Sequence, residues 1–153
     1  GGPGTGKSTV VAQVLALAER NGVETLLAAP TGRAAKRLEV ATGSQAKTIH
    51  RLLEIQPMGG QFGRGSDQPL PAGLLVVDET SMLDLLLADA LLCALTPEHR
   101  VLWVGDSDQL PPVGPGQVLR DVIEAAGETC PIPVVRLDKI YRQDESSSIV
   151  ANA

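Results

Sequence analysis

Two apolar rhythms alternate along this chain. From Lys7 to Asn21 apolar side chains fall at Val10, Val11, Val14, Leu15, Leu17 and Ala18, the spacing that gathers them on one stripe of a helix, and Asn21-Gly22 supplies the stop. Val23 to Ala29 is a compact apolar-rich run ended by Pro30 and reads as a strand. Helical spacing returns over Thr31 to Val40 and Thr48 to Ile55. Leu74 to Asp78 reads as a buried strand, Met82 to Leu95 as a helix, Val101 to Val104 as a strand, Gln117 to Ala126 as a helix and Val134 to Leu137 as a strand. Between them, Gln56 to Gly73 holds five glycines and three prolines with little apolar content, which predicts a flexible loop or insertion. Strands separated by helices imply βαβ units. The expected fold is therefore α/β, a doubly wound parallel sheet covered on both faces.

Composition narrows this picture. With 153 residues and 43% hydrophobic content, the chain matches one domain with a core of its own. Two cysteines, Cys93 and Cys130, are too few for a disulfide scaffold and predict reduced thiols in the cytoplasm. Three aromatics (Phe62, Trp103, Tyr141) exclude a nucleic-acid binder built on stacking platforms and leave an aliphatic core. The net charge of −5 is unevenly spread. From Thr31 to Arg51 stand Arg33, Lys36, Arg37, Lys47 and Arg51 against Glu39 alone, a local +4, while the remaining 8 basic and 17 acidic residues make −9. Such a basic stripe suits a polyanion, and equally a solvated helix face.

The chemistry starts at the first residue. Gly1-Gly2-Pro3-Gly4-Thr5-Gly6-Lys7-Ser8 satisfies the G-x-x-x-x-G-K-[ST] phosphate-loop pattern. Its glycines let successive backbone N–H groups curl toward phosphate oxygens, and the helix that follows adds the positive end of its dipole. Lys7 is placed to reach the β- and γ-phosphates, and the Ser8 hydroxyl to ligate Mg²⁺. Leu74-Leu75-Val76-Val77-Asp78-Glu79 ends a buried strand in two carboxylates, at the sheet edge where α/β proteins bind ligands. Asp78 suits Mg²⁺ held through water, and Glu79 suits the base that orients and deprotonates an attacking water. No Asn-Lys-x-Asp segment for reading guanine occurs, so the nucleotide expected is ATP. A third strand leads into Gly105-Asp106-Ser107-Asp108-Gln109, where Gln109 could sense the γ-phosphate and Asp106 to Asp108 also reads as an ordinary polar turn. The loop opens at Gly1 with no feeding strand before it, and the sequence stops in what reads as the first turns of a helix, so the expectation is a piece of a longer protein.

In this order the motifs resemble the first, RecA-like motor domain of superfamily 1 DNA helicases, specifically the RecD/TraA-like group. The resemblance is carried by Gly1–Thr9 (GGPGTGKST), Ala29–Leu38 (APTGRAAKRL), Thr48–Leu53 (TIHRLL), Val76–Met82 (VVDETSM), Val104–Gly116 (VGDSDQLPPVGPG) and Ile140–Gln143 (IYRQ). It implies a P-loop NTPase fold whose first strand lies outside the sequence, with nucleotide on Gly2, Pro3, Gly4, Thr5, Gly6, Lys7, Ser8 and Thr9 and Mg²⁺ on Ser8 and Asp78. It further implies Lys7, Glu79, Gln109 and Arg142 as catalytic residues, with Gln109 sensing the γ-phosphate and Arg142 neutralising transition-state charge. Arg142 also reads as a surface ion-pair residue, and Tyr141 as either a base-packing or a core residue. Thr31, Gly32 and Arg33 match the segment that grips single-stranded DNA phosphates. Thr48 and His50 match a second DNA contact, although Thr48 also suits a helix N-cap and His50 a packed helix face.

The implied activity is ATP-dependent DNA translocation or unwinding with 5′→3′ polarity, in DNA repair and recombination. Its partners would be single-stranded DNA, a second motor domain of the same chain and, in recombination complexes, nuclease subunits. A Gln-containing adenine-reading segment and the second motor domain are not in this sequence, so residues 1–153 alone are expected to hydrolyse ATP weakly. Two other readings stay open. One is a P-loop switch or kinase-like protein acting on a protein or small molecule, although only Arg64 lies in the long loop where a lid would need arginines. The other is a non-catalytic DNA clamp, against which stand Lys7, Asp78 and Glu79 together.

Overall fold

The computed structural model describes residues 1–2, 4–57, 59–126 and 131–138. Its elements run α1 (Lys7–Arg20), β1 (Thr25–Ala29), α2 (Gly32–Thr42), β2 (Ala46–Thr48), α3 (Ile49–Leu52), β3 (Leu74–Val77), a 3₁₀ turn (Thr80–Met82), α4 (Leu85–Cys93), β4 (Arg100–Trp103) and α5 (Val118–Ala125). The strands form one parallel sheet in the order β2-β1-β3-β4. Leu27 lies opposite both Ala46 and Val76, and Val76 opposite Leu102.

Alternation along the strands sorts the core into two layers. Leu27 and Val76 face Val11 and Leu15 of α1 and Leu38 of α2. Ala28, Leu75 and Val77 face the other way, onto Ile49 and Leu52 of α3 and Leu87, Ala88 and Leu91 of α4. Trp103 packs at the margin of this second layer. Helices thus cover both faces, and the α/β, doubly wound expectation holds. Among the described residues no helix is long and apolar enough to cross a membrane.

Several boundaries differ from the expected ones, each for a local reason. α2 starts after Thr31, whose Oγ1 accepts the Ala34 N–H at 3.2 Å, and ends on Gly43 in the left-handed region at φ 73°. The helix expected over Thr48 to Ile55 is only the four residues of α3. Thr48 caps it by accepting the Arg51 N–H at 3.2 Å, and Glu54 at φ 56° turns the chain out. The strand β2 was not expected, because three residues are too few to show a period. Helix α4 begins at Leu85 instead of Met82, since Asp84 Oδ1 caps it through the Leu87 N–H at 2.8 Å. The strand expected over Val134 to Leu137 is not formed. Residues 131–138 are irregular backbone without a sheet partner, and the Leu137 carbonyl lies against Gly1.

The stretch from 56 to 73 contains no helix or strand among its described residues. It is nonetheless tied to the body. Leu70 is buried and its N–H donates to the Ala94 carbonyl at 2.8 Å, while Arg64 pairs with Glu54 at 2.7 Å.

Candidate functional site: the C-terminal edge of the sheet

In a parallel sheet every strand delivers its following loop to the same edge. Here β1 delivers Thr31–Arg33, β2 delivers Thr48–His50, β3 delivers Asp78-Glu79 and β4 delivers Gly105–Gln109. The phosphate loop reaches this edge too, since a Cβ built on Gly2 would lie 4.0 Å from Asp106 Oδ2.

Gly4 and Gly6 hold φ of 78° and 84°, conformations that L side chains rarely adopt, so the loop curls as the motif requires. Gly6 caps α1 without any side-chain hydrogen bond, which leaves the first amides of the helix to a ligand. Thr5 is buried and its hydroxyl donates to the Gly2 carbonyl at 2.8 Å. The Lys7 ammonium folds back over the loop, donating to the Gly1 carbonyl and, at 2.8 Å, to the Gly2 carbonyl. Ser8 and Thr9 are exposed on the first turn of α1.

Beyond β3 the backbone is held tightly. Thr80, 1% exposed, donates its N–H to the Val104 carbonyl at 2.9 Å. Its hydroxyl lies 3.0 Å from the Val77 carbonyl and 2.9 Å from that of Val104. This double anchor sets Glu79 in the left-handed region at φ 53°. Asp78 Oδ1 accepts the Glu79 N–H at 2.9 Å. Burial raises the Asp78 pKa above the ordinary carboxylate value, and the Glu79 charge adds to the rise. The Glu79 N–H and the cations of Lys7 and Arg37 oppose it. A half-buried carboxylate and an exposed serine hydroxyl supply the oxygen donors that a hard divalent cation takes, and Lys7, close enough to act on the Asp78 charge, supplies a cation for phosphate oxygens.

At the end of β4, Gly105 lets the chain pass close to this turn, where a Cβ would lie 3.2 Å from the Ser81 amide and 2.7 Å from Leu119 Cδ2. Gln109 is exposed, and its Oε1 accepts from the Ser81 hydroxyl at 3.4 Å, which ties it to the turn that follows Glu79. On the other side, Gly32 and Arg33 are exposed at the start of α2. His50 is exposed and its ring lies 6.0 Å from that of Phe62, so it contacts the 56–73 stretch. Pro3, Tyr141 and Arg142 lie outside the described residues.

Two residues of the site were not singled out from sequence. Asp106 forms the expected polar turn, its Oδ1 accepting the Asp108 N–H at 3.2 Å, but it is also only 4% exposed and lies beside Gly2 of the phosphate loop. Arg37, which the sequence places in the basic stripe and within Ala29–Leu38 without a role of its own, donates from Nη2 to Glu79 Oε1 at 2.5 Å. The i+4 spacing puts it on the same face of α2 as Arg33. Nothing local in the sequence connects it with Glu79, 42 residues away.

Residues 1–115 match the family described as an AAA domain. The ATP-dependent RecD2 DNA helicase of Deinococcus radiodurans is 47% identical over the whole chain, which corresponds to 20% of that protein. The RecBCD enzyme subunit RecD of Mycolicibacterium smegmatis is 40% identical over 100% of the chain and 31% of its own length. The ATP-dependent DNA helicase dda of Enterobacteria phage T4 is 36% identical over 76% of the chain and 28% of its own length. The chain thus spans less than a third of these curated relatives. The family match and these relatives together show that the chain belongs to the RecD-like group of superfamily 1 DNA helicases, as a first motor domain.

Proposed function

We propose that this domain binds ATP with Mg²⁺ at its phosphate loop, hydrolyses it, and grips single-stranded DNA from the adjacent edge, as part of a longer 5′→3′ helicase or translocase. The observation that carries the reading is the convergence of Lys7, Asp78, Glu79 and Gln109 with the start of α2 on one sheet edge. The loop amides and Lys7 would bind the phosphates. Mg²⁺ on Ser8 and Asp78 would neutralise charge on the β- and γ-phosphates. Glu79 would take a proton from the water that attacks the γ-phosphorus as the bond to ADP breaks. Gln109, bonded to Ser81, would couple the state of the γ-phosphate to the turn after Glu79. Arg142 is the candidate cation for the transition state, with the second motor domain closing over it.

Thr31–Arg33 combine free backbone N–H groups at a helix start, a hydroxyl and a guanidinium, the chemistry of phosphate gripping without base reading. Thr48 and His50 on the neighbouring strand end would form a second contact. Partners would be the second motor domain, single-stranded DNA and, in a recombination complex, nuclease subunits. The test is ATP hydrolysis by the full-length protein with and without single-stranded DNA, alongside Glu79→Gln. Strong stimulation by DNA, abolished by the substitution, is expected. Hydrolysis indifferent to DNA would replace this reading with a protein-directed switch, and no hydrolysis with retained DNA binding would replace it with a clamp.

A further inference from the structure

The Arg37–Glu79 pair spans two different parts of the edge. Arg37 belongs to α2, the helix that begins at the DNA-grip segment, and Glu79 belongs to the turn after β3. The Glu79 carboxylate is mostly enclosed, with its side chain 16% exposed, whereas the Arg37 side chain is 63% exposed. Glu79 is also the fixed member. Its backbone is held by Asp78 on one side and by the double anchor of Thr80 on the other. The guanidinium is the movable member, on a long side chain with open solvent around it.

A guanidinium bonded to one carboxylate oxygen engages one of the group's lone pairs and stabilises its charge, so the carboxylate is a poorer acceptor of a water proton while the pair is made, although its second oxygen stays open. Phosphates bound at Thr31–Arg33 would lie about one helical turn, roughly 6 Å along the axis, from Arg37. They compete for the guanidinium in its preferred two-pronged geometry. No other described cation is hydrogen-bonded to Glu79.

We propose that Arg37 is a latch on Glu79, occupying its carboxylate while the DNA edge is empty and releasing it when strand phosphates draw the guanidinium away along α2. The proposal rests on Glu79 being the base of the reaction. Arg37 acts through Glu79 and is a positioning residue. It gives the motor a reason not to hydrolyse ATP when no strand is held.

The experiment measures ATP hydrolysis against ATP concentration in the full-length protein, without DNA and with saturating oligothymidylate. It compares wild type, Arg37→Ala, Arg37→Lys and Glu79→Gln. Arg37→Ala is expected to raise strand-free kcat on the order of three- to ten-fold, the exposed guanidinium keeping the effect below that of a buried charged bond. KM for ATP and the DNA-saturated kcat stay near wild type, so the stimulation ratio collapses. Arg37→Lys, which keeps a cation but not the planar fork, gives an intermediate strand-free rate. A strand-free kcat in Arg37→Ala that is unchanged or lower, with Glu79→Gln inactive, overturns the latch and leaves Glu79 as base. DNA-stimulated hydrolysis by Glu79→Gln would instead overturn the reading of Glu79, and the latch with it.

Discussion

Thr80→Val isolates one hydroxyl at the point where β3, β4 and the acidic turn are joined. The two side chains have nearly the same shape, so the substitution removes a donor without opening a cavity. The Thr80 proton serves one acceptor at a time, although its oxygen lies 3.0 Å from the Val77 carbonyl and 2.9 Å from that of Val104. Both carbonyls keep another partner. Val77 still accepts the Val104 N–H at 2.8 Å, and Val104 still accepts the Thr80 N–H at 2.9 Å. The loss is therefore one net hydrogen bond, about 1 kcal/mol, and not the larger cost of leaving a buried group unpaired. Trp103 is the sole tryptophan of the sequence and adjoins Val104, so its fluorescence reports unfolding at the right place. In urea, a loss of about 1 kcal/mol lowers the midpoint by roughly 0.3–1 M with no change in slope. No shift would show that the hydroxyl bond is not formed, and a loss above about 3 kcal/mol would show that a carbonyl is left without a partner.

Other perturbations separate packing, capping and charge. Leu91→Ala, at a fully buried position between α4 and the sheet, should cost about 2–5 kcal/mol by the same urea titration. Thr48→Ala removes the cap of the short helix α3 and should cost about 1 kcal/mol, which Thr48→Ser restores by keeping the acceptor. The Glu39 carboxylate is held below the usual range, chiefly by the hydrogen bond from Lys36 and then by the Ala46 N–H. Because its folded pKa is depressed, its contribution is present above the unfolded value and is lost as pH falls through the folded one. Thermal melts should therefore show Glu39→Gln slightly less stable than wild type at neutral pH, with the difference vanishing in acid.

How much of this was legible in advance depends on the range of the interaction. The alternation of α1, β1, α2, β3, α4, β4 and α5 was readable because each element carries its own period and stop signals, from Asn21-Gly22 to Pro30. The cap Thr48 was readable for a similar reason, since a cap acts within three residues. The strand β2 and the false strand at Val134 to Leu137 mark the limit. Three residues carry no period, and an apolar run becomes a strand only if a neighbour is there to take its hydrogen bonds.

By itself the sequence determined the phosphate loop, the acidic pair and the order of motifs, all properties of contiguous residues. The tertiary structure alone decided which of them meet. It buried Asp106 beside Gly2, tied Gln109 to Ser81, and joined Arg37 to Glu79 across 42 positions. Those contacts follow from the parallel register of β1, β3 and β4, which brings loops distant in the chain to a single edge. Local spacing carries no record of that register, because strand pairing is chosen by the packing of whole faces.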